Sequence, residues 1–365
     1  MAELNAPEIM RSAIQKVATG PEYSKDLSHD EAHDAMQVIL QGLADPVQAG
    51  VLLIALRMKR ETLDEYTGAL QAVREMTDTA VAEVPEVLDV SDPYDGFTRG
   101  LPVSPFLPAV MAACGVPTVS HGLESIGPKY GVTHRSVLRA AGAPVDLTTH
   151  QAAARLADAD IGWAYVDQAQ FCPALHALAD LRKRIVKRPI ITTIETLVGP
   201  VRGKARTHML AGYVHKAYPP IYAHLARFSG FHTAAIVRGV EGGLTPSLKQ
   251  PAALVHYHDG GPEEVMQLDP AALGIRQETR AVPIPPELAA DESGALDIAA
   301  LSRAAAEAGL AALHGEAGPA RDSLVYAGAI ALFNLGRVED LPAAADRVRR
   351  ALDDGSALAR FQAAA

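Results

Sequence analysis

Apolar positions in the first 80 residues recur with the period of an α-helix. Met10 and Ile14 share one helical face, and Pro46 begins a long apolar run at a position where proline suits a helix start. At Ser28 and Thr62 a hydroxyl residue precedes a glutamate by three positions, which is the signature of a capping box. The pattern predicts four short helices that bury their apolar faces against one another as a small helical domain.

From about residue 86 the pattern changes to short β-rich runs that alternate with helical stretches. The predicted strands are Val87–Val90, Val116–Ser120, Trp163–Val166, Ile190–Ile194, Met209–Val214, Ala234–Arg238 and Leu254–His258. The predicted helices are Phe106–Cys114, Ser136–Ala141, Ala174–Ile185, Pro220–Phe228, Arg321–Leu335 and Leu341–Leu352, with a linker at 283–296. Such alternation predicts a mostly parallel central sheet flanked by helices on both faces. The fold class is therefore α/β, with an N-terminal helical domain over residues 1–82 and an α/β domain over 83–365.

Composition restricts the partners. Of 365 residues, 48 % are hydrophobic, and the formal net charge is −10, which opposes non-specific attraction to nucleic acid or to anionic membranes. Two cysteines, Cys114 and Cys172, provide neither a disulfide framework nor a thiolate metal cage, and are expected to be small buried residues. No apolar stretch reaches the roughly 20 residues that span a bilayer, and no signal peptide is recognised. We expect a cytoplasmic protein with no membrane partner.

Several segments, in the same order along the chain, resemble the anthranilate phosphoribosyltransferase family. They are GVLLIALRMKRETLDEYTGALQAVRE (50–75), ACGVPTVSHG (113–122), RPIITTIETLVGP (188–200) and RDSLVYAGAIALFNLGR (321–337). The resemblance extends over about residues 5–360. It implies a homodimer whose helical and α/β domains enclose the active site between them. There the family transfers the ribosyl group of phosphoribosyl pyrophosphate to an aromatic amine with the help of Mg²⁺.

The family's GTGGDG donor loop is rewritten as Ser-Asp-Pro-Tyr-Asp-Gly at residues 91–96. Asp95 and Gly96 are retained, but Pro93 removes a backbone donor, and Asp92 repels a phosphate. The family's NIST segment keeps one hydroxyl, at Ser104. His121 and Gly122 remain from the family's His-Gly pair, without the lysine and asparagine that flank it in the family.

The metal motif departs further. The family's adjacent Asp-Glu pair falls at Thr245 and Pro246, which cannot supply the carboxylate oxygens that Mg²⁺ requires. Glu241 lies nearby but is a single carboxylate. We therefore predict no metal site and no cofactor, with Mg²⁺ expected only if the family's donor is still used.

Basic residues cluster by sequence near the segments that line the family's cleft: Arg99, Lys129, Arg135, Arg188, Arg202, Lys204 and Arg206. The resemblance matches Arg188 to the arginine that holds the acceptor's carboxylate, and Lys129 to the lysine of a KSG motif. Guanidinium and ammonium groups could replace lost backbone donors. The predicted ligand-binding or phosphate-binding set is Asp95, Gly96, Thr98, Arg99, Ser104, His121, Gly122, Lys129 and Arg188, with no catalytic residue assigned.

Structural alternatives stay open for several of these residues. Residues 91–96 could form only a tight turn, and His121 could only support that turn. Glu124 and Glu195 could each neutralise an adjacent arginine, and residues 202–206 could form a solvated loop. His256 and His258 fit an ordinary edge strand better than a metal pair.

Two functional hypotheses follow. The first is a pentosyl or phosphoribosyl transferase with an altered donor or acceptor, which binds a small phosphorylated or anionic ligand in the interdomain cleft. The second is a non-catalytic protein that uses a basic cleft for nucleic acid or a protein partner. It gains weight because YDGFTRGLP and HGLESIGPKYGVTH resemble a divergent branch of the family in which nucleic-acid binding has been suggested.

Overall fold

Four helices form the N-terminal layer of the protein. The computed structural model describes residues 5–20, 22–290, 292 and 294–365. The four helices are α1 (Ala6–Val17), α2 (His29–Leu40), α3 (Pro46–Lys59) and α4 (Leu63–Glu75). Both predicted capping boxes are present, since the Ser28 and Thr62 side chains accept hydrogen bonds from the N–H groups of Glu31 and Glu65. The helix α2 lies so close to α4 that a Cβ on Gly68 would meet the His29 carbonyl oxygen at 2.2 Å.

A seven-stranded sheet forms the centre of the larger domain. The strands are β1 (Ala80–Ala82), β2 (Glu86–Ser91), β3 (Thr118–Gly122), β4 (Trp163–Asp167), β5 (Val201–Gly203), β6 (Arg206–Tyr213), β7 (Thr233–Arg238), β8 (Ala252–Tyr257) and β9 (Glu264–Leu268). The order in the sheet is β4-β3-β2-β6-β7-β8-β9. The pairs from β4 to β7 are parallel, whereas β8 and β9 pair antiparallel. Strands β1 and β5 form a separate parallel pair.

Helices cover both faces of the sheet. They are α5 (Leu107–Ala113), α6 (His134–Ala140), α7 (Thr149–Ala157), α8 (Gln168–Phe171), α9 (Pro173–His176), α10 (Ala179–Ile185), α11 (Ile191–Ile194), α12 (Tyr218–Phe228), α13 (Ile298–Leu313), α14 (Pro319–Asn334), α15 (Leu341–Asp353) and α16 (Ser356–Ala364). One apolar core joins the N-terminal helices to one face of the sheet, and a second joins the C-terminal helices to the other face. The predicted fold class, a helical domain plus an α/β domain with a mostly parallel sheet, is confirmed.

Some predicted elements are wrong. The strand predicted at 190–194 is instead the short helix α11 over residues 191–194, and the single helix predicted over 174–185 is divided into α9 and α10. Strand β8 lies between β7 and β9, so His256 is not on an edge strand. The predicted linker contains a 3₁₀ turn at Pro286–Leu288, while its residues 291 and 293 lie outside the described part of the chain. The boundary predicted after residue 82 stays a prediction.

No described helix matches the dimensions of a bilayer. Within residues 5–20, 22–290, 292 and 294–365, none is long and apolar enough to cross a membrane.

Candidate functional site

A cavity of about 240 Å³ opens between the N-terminal helices and the carboxyl ends of β2 and β6. Ligands bind at this end of parallel strands in many open α/β sheets. Its lining comes from α3, α4, α11, α12, the segment before α11, and the strand ends and loops after β2, β3, β6 and β7. The lining residues are Arg57, Glu61, Tyr66, Ser91, Asp92, Pro93, Asp95, Lys129, Arg188, Pro189, Thr192, Thr193, Thr196, Ala211, Gly212, Tyr213, Val214, His215, Tyr218, Tyr222, Glu241 and Gly242.

Asp95 binds the two predicted cations of the cleft. Its carboxylate contacts the guanidinium of Arg188 and lies 3.3 Å from the Lys129 ammonium. Asp95 is almost fully buried, whereas the Arg188 side chain is 42 % exposed and keeps further N–H groups directed to the cleft or solvent. Arg57 donates to the Arg188 carbonyl oxygen at 2.5 Å. Three predicted residues, Asp95, Lys129 and Arg188, are thus brought together at the cavity.

Thr98 and Arg99 face a carboxylate instead of the open cavity. The N–H of Arg99 donates to Glu241 Oε1 at 2.8 Å, and the N–H and hydroxyl of Thr98 donate to Glu241 Oε2 at 3.2 and 3.3 Å. The Lys129 ammonium lies 3.8 Å from the same oxygen and 5.6 Å from the centroid of the Phe97 ring. Glu241 therefore takes the position next to Thr98 and Arg99 that the sequence predicted for a ligand.

The side chains of the rewritten loop, residues 91–96, make their contacts within the protein next to the cavity. Asp92 accepts from the N–H of Leu244 at 2.8 Å and from the Ser104 hydroxyl, and it lies 2.7 Å from His134 Nε2. The Ser104 hydroxyl is thus already hydrogen-bonded within the protein. Ser104 lines a second, smaller cavity and not the main one. A Cβ on Gly96, whose φ is +76°, would lie 2.6 Å from the Gly131 carbonyl carbon, so this glycine permits the close approach of the two loops.

His121 and Gly122 are enclosed in the protein and do not line the cavity. His121 Nε2 lies 2.8 Å from Asp89 Oδ1, and its Nδ1 contacts the Tyr94 hydroxyl. The same hydroxyl lies 3.2 Å from the Glu195 carbonyl oxygen, and burial raises the pKa of Tyr94. Both ring nitrogens of His121 therefore have partners inside the protein, and neither His121 nor Tyr94 lines the cavity. The structure supports the alternative that this histidine holds the loop in place.

The other basic residues of the expected cluster are directed away from the cavity. Arg135 pairs with Glu124, Asp146 and Asp167. Arg202 lies on β5, stacks on the Phe231 ring and donates to backbone carbonyls, and burial lowers its pKa to about 10. Lys204 and Arg206 pair with Glu83 and Asp259. None of these four residues lines the cavity, because sequence proximity to lining segments did not fix where their side chains point. The alternative of a solvated loop at 202–206 is wrong for Arg202, which is half-buried on β5.

Glu195 forms a buried ion pair with Arg182. The two side chains make parallel hydrogen bonds of 2.7 Å, and Gln168 donates to Glu195 at 3.0 Å. The interpretation of Glu124 and Glu195 as partners of arginines is confirmed. Cys114 and Cys172 are both buried free thiols, as expected.

Sequence reasoning missed the aromatic wall of the cavity. Tyr218 and Tyr222 lie on one face of α12 with ring centroids 6.1 Å apart, and burial raises the pKa of Tyr222 to about 12. Tyr66 on α4 lines the same cavity, and its hydroxyl donates to Glu61 Oε2 at 3.3 Å. The spacing of four between the two α12 tyrosines was a signal for a shared face. Nothing in the sequence connected that face to Tyr66.

The residues at the family's metal position do not fit Mg²⁺. Thr245 and Pro246 carry no carboxylate, and Glu241 is bound to backbone N–H groups. Among the described residues, no group of three or more His, Cys, Asp or Glu side chains is arranged to hold a metal ion.

With this geometry established, comparison with known proteins shows the family. The helical bundle domain of a glycosyl transferase family matches residues 11–77, and the a/b domain of the same family matches residues 98–358. The chain belongs to this glycosyl transferase family, in its anthranilate phosphoribosyltransferase group. An anthranilate phosphoribosyltransferase from Rhodopseudomonas palustris (strain HaA2) is 30% identical over 354 residues, which cover 96% of both chains.

Solved structures agree with this fold. The anthranilate phosphoribosyltransferase of Thermus thermophilus is similar with a TM-score of 0.75 at 19% identity, over 97% of both chains. The Saccharomyces cerevisiae enzyme in complex with PRPP and Mg is similar with a TM-score of 0.74 at 16% identity, over 97% of this chain and 96% of that one. At identities of 19% and 16% this similarity shows the fold alone.

Proposed function

We propose that this protein binds a small phosphorylated or anionic ligand in the interdomain cleft and acts as a pentosyl or phosphoribosyl transferase with an altered substrate pair. The observation that carries the proposal is the cavity itself, because its lining includes the cations Arg57, Lys129 and Arg188 together with three tyrosines of α4 and α12. Charge-assisted hydrogen bonds from these cations suit an anionic group, and the aromatic wall suits the flat part of a ligand.

Transfer chemistry in this class needs few proton-transfer groups. The bond from the anomeric carbon to its leaving oxygen breaks with both electrons going to the leaving group, and an acceptor lone pair forms the new bond before the acceptor loses a proton. Catalysis rests on positioning and on stabilising charge. The rewritten donor loop and the missing carboxylate pair support a substrate pair other than phosphoribosyl pyrophosphate with Mg²⁺ and anthranilate.

Calorimetric titration tests this proposal. Wild-type protein is titrated with ribose 5-phosphate and with phosphoribosyl pyrophosphate, with and without Mg²⁺, and turnover with anthranilate is assayed in parallel. We expect Mg²⁺-independent binding that weakens about 10- to 100-fold in Arg188→Ala, since a hydrogen bond to a charged group contributes about 1.5–3 kcal/mol. Arg276→Ala, which removes an exposed arginine elsewhere, is the matched control and should bind as wild type does.

Two results would contradict the proposal. Tight, Mg²⁺-dependent donor binding with anthranilate turnover would show that the family's ordinary reaction persists. If neither phosphorylated pentose bound, or if binding were unchanged in Arg188→Ala, the proposal that this cleft binds an anionic ligand would be wrong.

A surface feature favours the second candidate, nucleic-acid binding. Arg60, Lys183, Arg184 and Lys187 are exposed at or just after the C-terminal ends of α3 and α10, and within the described residues none has a carboxylate within 4 Å. Such cations suit a phosphate backbone, although the net charge of −10 opposes it. A single-stranded oligonucleotide is therefore included in the titration. Binding that survives Lys129→Ala and Arg188→Ala, which remove cations from the cavity lining, would exclude the cleft as its site.

The exposed face of α3 supports a homodimer. Val47, Val51 and Met58 are 68, 44 and 76 % exposed, and Leu43, just before the helix, is 55 % exposed. Their spacing places them on one side of a helix whose opposite side is buried in the helical domain. The resemblance assigns dimer contacts to these N-terminal helices, and a second copy of the chain is the occupant that we propose.

The two buried free thiols fit the proposed cytoplasmic location.

A further inference from the structure

Glu241 occupies a built anion site. Its side chain is only 7 % exposed, and its two carboxylate oxygens together accept the N–H groups of Thr98 and Arg99 and the Thr98 hydroxyl, at 2.8 to 3.3 Å. The Lys129 ammonium completes the surroundings at 3.8 Å. Two successive backbone N–H groups with a hydroxyl and an ammonium form an arrangement that binds phosphate or carboxylate groups. Here the chain supplies the anion itself.

The backbone that carries Glu241 is closely packed. Glu241 has a φ of +55°, an uncommon conformation for a residue with a side chain. It lies in the 3₁₀ turn Val240–Gly242, whose preceding Gly239 approaches Gly243 so closely that a Cβ would lie 1.6 Å from the Gly243 carbonyl oxygen. Glu241 also lines both the main cavity and the second, smaller one, so its side chain borders open space into which the carboxylate can rotate while the turn stays in place.

The charge balance of the cavity supports the same interpretation. Asp95 contacts both Lys129 and Arg188, and Glu241 is the second carboxylate near Lys129. Together these two carboxylates satisfy the donors that an incoming anion would use. An incoming phosphate must compete with them, because the site cannot hold two adjacent anions at low cost.

We propose that the Glu241 carboxylate is an internal competitor of the ligand's phosphate group, so that the phosphate enters this site only when Glu241 turns out of it. This inference rests on the proposed function in one respect, namely that the ligand carries a phosphate. It predicts a cleft held in a low-affinity state by its own side chain. A glutamate that merely joins the two loops would instead leave phosphate affinity unchanged when it is replaced.

Inorganic pyrophosphate without Mg²⁺ is the probe, measured by calorimetry on full-length protein. Glu241→Gln removes the charge at similar volume, and Glu241→Gly empties the site with a residue that adopts a φ of +55° readily. Both should bind pyrophosphate at least ~10-fold more tightly than wild type, because no carboxylate then competes with the probe for the same donors. Glu287→Gln removes an exposed glutamate elsewhere and should bind as wild type does. Adding Lys129→Ala to Glu241→Gln should cancel the gain.

The outcomes separate this inference from the proposed function. Equal affinities in wild type and both Glu241 variants would overturn the competition, while ligand binding that depends on Arg188 would leave the proposed function standing. If Glu287→Gln increased the affinity for pyrophosphate by the same factor, the change in net charge alone would explain the increase, and the inference would be overturned. Absence of pyrophosphate binding in every variant would also overturn it, and the pentose phosphate titration of wild type would still decide the proposed function.

Discussion

Asp95 contacts both Lys129 and Arg188, so the two cations that the sequence marked for a ligand are partly neutralised by a third residue of the same predicted set. Residue type and resemblance were enough to select all three. They did not reveal that Glu241 binds Thr98 and Arg99, because that contact joins segments 143 residues apart for Thr98. Pairings of this kind depend on how two loops meet in space, which a single sequence does not contain.

A buried histidine makes stability depend on pH. His208 on β6 is nearly inaccessible, and burial lowers its pKa to about 4, whereas its pKa in an unfolded chain is about 6.5. Between these values the unfolded chain holds a proton that the folded protein does not. The free energy of unfolding should therefore fall as pH decreases from 6.5 to 4, by up to roughly 3 kcal/mol.

Urea denaturation at several pH values measures this effect. The neighbouring titratable or charged groups are Glu86, Arg206, His232, His258 and Asp259. His208→Gln should flatten the dependence between pH 4 and 6.5, and His314→Gln, which changes an exposed histidine, should not. An unchanged slope in His208→Gln would assign the dependence to other groups.

At the scale of elements, periodicity located the four N-terminal helices and most of the buried strands, but it missed the helices α7, α13 and α16. It failed at residues 190–194, where the β-branched run predicted a strand but Ile190, Ile191 and Ile194 instead bury their side chains from a short helix after Pro189. Packing against the core decided that segment over intrinsic propensity. The three-residue strands β1 and β5 were missed because so short a run carries almost no alternation.

The turn between β7 and β8 depends on a glycine. Gly239 has an ordinary φ of −88°, so Gly239→Ala creates no backbone strain, but its Cβ would collide with the Gly243 carbonyl oxygen. We expect a loss of about 1–3 kcal/mol in the free energy of unfolding, as for other overpacked sites. Thermal and urea denaturation measure it.

Gly50→Ala is the matched control for that variant. Its Cβ would meet the nearest atom, Ile185 Cγ1, at 4.0 Å inside α3, so we expect no loss and a gain of up to about 1 kcal/mol from helix propensity. Equal losses in both variants would contradict the role assigned to Gly239.

At the scale of the whole molecule, the order of helical domain, parallel sheet and closing helices could be predicted because each rests on local periodicity. The position of the cleft followed from the resemblance. Its electrostatic character did not, since Arg135 and Arg202 turned to carboxylates or backbone carbonyls elsewhere. The sequence shows which residues are charged, but the direction of each side chain depends on the neighbours that the fold brings to it.

The proposed homodimer gives a test at this scale. Val51→Glu places a charge on the exposed face of α3, where the folded monomer tolerates it. The dissociation constant of the dimer should rise at least ~100-fold, because an unpaired charge in an apolar contact costs several kcal/mol. Analytical ultracentrifugation measures it. Val265→Glu, at a position 75 % exposed on β9, should leave assembly unchanged, and an unaffected dimer in Val51→Glu would exclude this face.

The outer strand β9 bears on how large an assembly of this protein can grow. Its far side has no partner strand in the sheet that the described residues form, and such an edge can add further strands without limit, whereas a two-fold contact closes after two copies. The first residue of β9, Glu264, is exposed, and a charged side chain on an edge strand disfavours pairing with a further strand. The protein thus combines an apolar helix face suited to finite pairing with a charged margin that discourages fibre growth.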